Sequence, residues 1–204
     1  MKALELAEFI LVSYPGKDIT PMKLQKLAFY AKAWTLVAGD SFIDAEFEKW
    51  DYGPVNQNIY HHYKNHGASG ILAPKSHGAI EESQGKLLQF ILDNYIDYSA
   101  FTLSSMTHNE APWEETPKDK IISDALILSY YSKQPFAKNF SSNTDGVFHV
   151  LQSNAWHSFT LDMEEEEAKT FATYSSFEEF HKLGDDANLE FKKLLSDLDG
   201  MIIN

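Results

Sequence analysis

The chain contains no cysteine and no arginine. The first absence excludes a disulfide framework and thiolate chemistry of any kind. The second argues against a groove built on bidentate phosphate forks, because all 17 basic residues are lysine. A net charge of −13 works in the same direction, since the overall field repels a polyanion and disfavours nucleic acid as a partner. Long apolar runs are missing too: nothing approaches the roughly 18–20 residues that span a bilayer. The apolar start, Met1–Val12, carries Glu5 and Glu8, unlike the uncharged centre of a signal peptide. A soluble, cytoplasmic protein with no membrane partner is expected. Signature loops are also lacking, with no G-x-G-x-x-G, no G-x-x-x-x-G-K-[ST] and no G-x-S-x-G. Nothing in the sequence calls for a cofactor.

What is present is enough apolar material for a core: 204 residues, 44% hydrophobic and 14% aromatic. Ala3–Val12 places Leu4, Ala7, Ile10 and Leu11 on one helical face, and Tyr14-Pro15-Gly16 stops it. Thr20 and Pro21 make the clearest helix start, a capping hydroxyl followed by proline at the first helical position. Leu24, Leu27, Ala28, Ala31 and Trp34 then form a core stripe, and Gly39 suits the C-terminal cap. Lys17, Lys23, Lys26 and Lys32 read as a solvated helix face. Further helices are predicted from Pro54 to about Gly67, over Glu81–Tyr95, after Ser99, and from Ser123 to about Tyr131 with Leu126, Ile127 and Tyr130 inward. Ala68–Gly78 reads as a surface loop.

Two aromatic corners punctuate this pattern. In Phe47–Val55 a short extended piece carries Trp50 and Tyr52 on one side, and Gly53-Pro54 turns it into the next helix. The second corner, Thr107-His108-Asn109-Glu110-Ala111-Pro112-Trp113, is locked by its proline. After Pro135 the periodicity fades, and Phe136–Gly146 reads as a linker. Val147–Leu151 and Trp156–Leu161 suggest a β-hairpin, followed by helices near Glu164–Thr173, Ser176–Lys182 and Ala187–Asp199. The expected fold is mainly α, with a short extended aromatic corner and a minor α+β extension. The expected domains are 1–134 and 135–204, and the tail holds −8 of the charge.

Catalytic constellations are thin. His62 and His66 have the i,i+4 spacing of metal ligands, but Tyr63 stands where the zincin motif needs glutamate. His108-Asn109-Glu110 matches half of the zinc deaminase signature, whose other half requires cysteine. Ser104 and Ser105 lie one turn before His108, a spacing that also suits hydroxyls bonding to backbone. A metal-assisted or Ser/His hydrolase is therefore a lesser alternative, and no catalytic or metal residue is assigned. Operator binding is weaker still, for want of a helix-turn-helix.

Three blocks, Thr20–Tyr30, Trp50–Val55 and Leu103–Trp113, resemble the Panacea domain of SocA-like antitoxins, also known as phage-associated GepA-like proteins, over about residues 3–134. The resemblance implies an antitoxin that neutralises a cognate toxin by direct protein contact. A second implied role is an adaptor that delivers its client to a AAA+ protease. The acidic charge suits a basic toxin, because complementary fields speed association. Trp50, Tyr52, Pro54, His108 and Trp113, from the two corner motifs, are the partner-binding candidates, beside a structural role for the same residues.

Overall fold

Thr20 and Pro21 begin the helix around which the other elements pack. The structure, a computed structural model, describes residues 1–141, 147–151, 173–180, 182 and 189. Within them, α1 (Ala3–Ser13) leads to α2 (Pro21–Val37), then a hairpin of β1 (Glu48–Trp50) and β2 (Gly53–Val55). Next come α3 (Gln57–Tyr63), a 3-10 turn at Lys64–His66, α4 (Glu82–Asp93), α5 (Ala100–His108), α6 (Ala111–Glu114) and α7 (Asp124–Tyr131). A second 3-10 turn spans Pro135–Phe140, and β3 (Phe148–His149) pairs antiparallel with β4 (Thr173–Tyr174). Helices dominate and the sheets are two-stranded, so the described fold is mainly α with minor β. No helix among the described residues is long and apolar enough to cross a membrane.

The chain divides into two compact units, the first containing Met1–Ala137 and the second containing Lys138–Val150. In the first, α1, α4, α5 and α7 all pack on α2. The Thr20 hydroxyl accepts from the Lys23 amide, and Gly39 at φ +77 follows the helix end, as the capping pattern predicts. Every residue from Lys23 to Thr35 is buried. This corrects the solvated lysine face: Lys23, Lys26 and Lys32 all lie inside, and of the four only Lys17 is exposed, paired with Asp97. The physical reason is that apolar residues extend beyond one face of α2, with Phe29, Tyr30 and Ala33 buried outside the stripe. A helix of that kind belongs at the centre of a bundle.

Its aromatic residues hold the bundle together. Tyr30 stacks on Tyr95 with ring centroids 4.1 Å apart, while Trp34 meets Tyr131 at 5.0 Å and Phe136 at 4.8 Å. The Trp34 indole donates to the Tyr95 hydroxyl at 2.6 Å. Phe136 is therefore core, and the predicted linker begins as an ordered 3-10 turn because this ring has a site to fill. Likewise α7 buries Ile127 and Tyr131, whereas Tyr130 is half-buried.

The first corner also departs from expectation. Pro54 does not open a helix; it lies in β2 opposite Lys49. Asn56 caps α3 instead, its side chain accepting from the Ile59 amide at 3.1 Å. Tyr52 sits in the turn, so it does not share a strand face with Trp50. In the second unit, Asn139 and His149 exchange side-chain and backbone hydrogen bonds, and Phe148 packs on Phe177 and Phe180. Among the described residues β3 pairs with Thr173–Tyr174, so Thr173 is a strand residue and not a helix end. The second predicted strand, Trp156–Leu161, and the helix near Ala187–Asp199 lie outside the described residues, Leu189 excepted.

Gly53 is where the hairpin is least tolerant. Its φ is +98°, and an added Cβ would stand 2.7 Å from the Thr107 hydroxyl and 2.8 Å from Lys26 Cε. Gly53→Ala is expected to cost about 1–3 kcal/mol from backbone strain, with the clash in addition. Urea denaturation measures it, and a stability equal to that of the unaltered protein would refute the assigned conformation.

Candidate functional site

A two-stranded hairpin is marginal alone, and this one is held from both sides. Along the outer edge of β1, Lys49 donates to the Lys120 carbonyl and accepts from Asp119, both at 2.9 Å, and Ile122 donates to the Phe47 carbonyl at 2.8 Å. On the other side, side chains reach the carbonyls around the turn one by one. The Trp113 indole donates to Trp50 at 3.1 Å, His108 Nε2–H to Asp51 at 3.1 Å, Ser104 to Tyr52 at 3.0 Å and Lys26 to Pro54 at 2.8 Å. Neither turn residue has positive φ, so Gly53 takes the left-handed position that follows a type I turn. Each bond is worth about 0.5–1.5 kcal/mol net. Together they fix the first corner to the second.

Beside the hairpin lies a cleft of about 480 Å³. The first turns of α2 supply Met22, Gln25 and Lys26, the hairpin supplies Trp50 and Tyr52, and α3 supplies Tyr60. Trp50 rests on the Tyr60 ring at 4.9 Å. At the rim, Lys118 pairs with Asp51 at 2.7 Å, next to Asp119, whose φ of +59° is a conformation that aspartate tolerates better than most residues. Gln25 and Asn56 lock the back: the Gln25 amide donates to the Asn56 carbonyl at 3.0 Å and accepts from its N–H at 2.8 Å.

Two buried ionisable groups flank this assembly. Lys26 is 1% exposed, and burial lowers its pKa to about 7. Glu110, the N-cap residue of α6, lies between two phenols; Tyr30 donates to one carboxyl oxygen at 3.1 Å and Tyr131 to the other at 2.6 Å. Burial raises the Glu110 pKa to about 8, against the opposing pull of those two bonds. Both phenols are pushed well above their ordinary value, first by burial and also by the Glu110 charge. His108 is lowered, chiefly by burial, with the Asp51 carbonyl opposing.

The five partner-binding candidates thus converge on one hairpin, in different situations. Tyr52 is 72% exposed at the tip. Pro54 is buried, while Trp50, His108 and Trp113 are half-buried and bonded. His108 and Trp113 meet edge-to-face at 4.1 Å, and the Lys49 ammonium sits 4.3 Å above the Trp113 ring. Ser104 and His108 each bond a hairpin carbonyl and form no nucleophile–base pair. His62 and His66 are exposed, and no group of three metal-ligating side chains occurs among the described residues. The burial of Lys26, expected on a solvated face, and of Glu110, weighed only as half of a zinc signature, was not foreseen from the sequence. No local signal marks Lys26 as buried, because Lys23, Gln25 and Lys32 in the same helix read equally well as a wet face.

Residues 24–114 match the family model of the antitoxin SocA-like Panacea domain. The matched span contains the hairpin, the cleft-lining Gln25 and Lys26 of α2 and the second corner, and it lies within the stretch that the three motif blocks indicated. No curated protein and no solved structure matches the chain.

The raised Glu110 pKa makes stability depend on pH. Between about 4.5, the ordinary carboxyl value, and about 8 the unfolded chain has released this proton while the folded protein holds it. This group's contribution therefore falls as pH rises through that window and is level above it. Glu110→Gln keeps the shape and removes the titration. Its unfolding free energy, measured by urea denaturation from about pH 5 to 8, is expected to decline less steeply than that of the unaltered protein. Equal slopes would overturn the assignment.

Proposed function

We propose that this protein is an antitoxin that binds a toxin protein directly and blocks it, with the hairpin tip and the α5–α6 corner as its contact face. The match of residues 24–114 to the antitoxin SocA-like Panacea domain carries the reading. The geometry of the tip supports it. A mostly exposed aromatic stands on a turn whose neighbouring carbonyls are tied down, so Tyr52 meets a partner with little ordering left to lose. Phe101, 78% exposed, adds a second exposed aromatic on α5, three residues before Ser104, which holds the Tyr52 carbonyl.

The proposed toxin is basic, since the chain carries −13, and the proposed compartment is the cytoplasm. Complementary charge of this kind raises the association rate and makes it fall with added salt. The segment beyond Ala137 is proposed to tune the choice of partner.

Co-expression with the product of the adjacent open reading frame tests this directly. A complex on size exclusion and restored growth are expected, with an unchanged toxin half-life; a shortened half-life would assign the protein to proteolytic delivery instead. Neither complex nor rescue would remove the reading. Tyr52→Ala is expected to leave thermal stability unchanged and to weaken the complex by about 2 kcal/mol or more. Undiminished binding would move the contact face elsewhere.

A further inference from the structure

We propose that the cleft beside the hairpin is a carboxylate-binding pocket, in which Lys26 meets the acid group while Trp50 and Tyr60 hold the apolar body that carries it. The observation behind it is an incomplete set of partners. Lys26 is 1% exposed, lines the cleft, and has one bonded acceptor, the Pro54 carbonyl at 2.8 Å. A protonated lysine carries three donors, and among the described residues no carboxylate is paired with this one. A buried cation without a counter-charge costs several kcal/mol, so burial favours the neutral amine and an arriving anion favours the charged one.

The surroundings suit a singly charged organic acid. One buried amine offsets one negative charge, which fits a carboxylate better than a dianionic phosphate. A volume of about 480 Å³ is in the range of small-ligand sites, and the Trp50–Tyr60 pair offers an apolar wall. Lys64, 5.7 Å from the Tyr60 ring centroid, adds positive charge at the mouth. Lys118 is already engaged by Asp51, and Asp119 lies beside it. His108 is the neighbouring titratable group, and its ring senses the charges of both Lys26 and Lys49. Burial brings the Lys26 pKa to about 7, so binding of an acid takes up a proton near neutrality and weakens as pH rises.

The pocket does not depend on the toxin reading, and a small acid probes it without a toxin. The full-length protein is titrated with 3-phenylpropionate and, separately, with the uncharged 3-phenylpropionamide, while the Trp50 indole resonance is followed by NMR. Saturable binding of the acid is expected, with the amide at least about tenfold weaker. Acid affinity is expected to drop about tenfold or more between roughly pH 6.5 and 8.5, as the protonated fraction of Lys26 falls. Lys26→Met should bind the acid no better than the amide and lose the pH dependence. Equal binding of acid and amide, binding of neither, or full acid binding by Lys26→Met would each overturn the proposal. The first comparison uses the unaltered protein, so it decides even where the variant fails to fold. The carboxylate has two sources, a free acid or a partner chain. Release of a co-purified partner by 3-phenylpropionate assigns it to the partner, and an undisturbed complex assigns it to a free acid.

Discussion

A helix buried on every side must satisfy its polar side chains within the protein, and in α2 this requirement positions much of the first unit. Unpaired buried polar groups cost about 1–3 kcal/mol each, so several along α2 recruit a neighbour. Gln25 takes up the backbone of Asn56 and so sets the start of α3. Lys26 takes the Pro54 carbonyl, and Lys32 reaches the Ala45 carbonyl and Asp124, each at 2.7 Å. Tyr30 finds Glu110 and Trp34 finds Tyr95. These partners are scattered from residue 45 to residue 124 of the sequence, yet the α2 side chains that hold them are spaced along three turns of one helix.

The two aromatic corners follow from the same logic. The hairpin turn leaves carbonyls facing away from its short ladder, and Ser104, His108 and Trp113 stand along α5 and α6 to meet them. Trp113 and His108 therefore act first as staples, which leaves Tyr52 to face outward. A corner built this way is rigid because a shift of one strand would break several bonds at once. Such rigidity suits a recognition surface, since a pre-ordered turn loses little entropy on binding.

Lys26 and Glu110 are buried ionisable groups, one basic and one acidic, and each is bonded to neutral groups. Burial moves the lysine down to about 7 and the carboxyl up to about 8, so both change protonation near neutrality. The carboxyl has two phenol donors and is satisfied within the core. The lysine has one acceptor and borders a cleft, and that difference separates a structural group from a binding one.

Much of the helical framework was legible because its signals are local. Thr20-Pro21, Ser99 and Ser123 start helices through a hydroxyl and the next few amides, an arrangement any sequence window of four residues contains. The three motif blocks were equally readable, whereas the corner expected at Gly53 to lead into a helix is the close of a hairpin. What the chain order could not reveal was which face of α2 met water, because stripe and lysines look alike until neighbours are placed. Pro54 fits a helix start and an extended strand equally well on its own φ; Asn56 and the Lys49 pairing decided for the strand. Phe136 became core because Trp34, a hundred residues earlier, left room for its ring. The sequence by itself determined where the helices capped by Thr20, Ser99 and Ser123 begin and that two aromatic corners exist. Tertiary structure decided which polar groups are buried and therefore where the cleft and its lysine lie, because burial depends on contacts far apart along the chain.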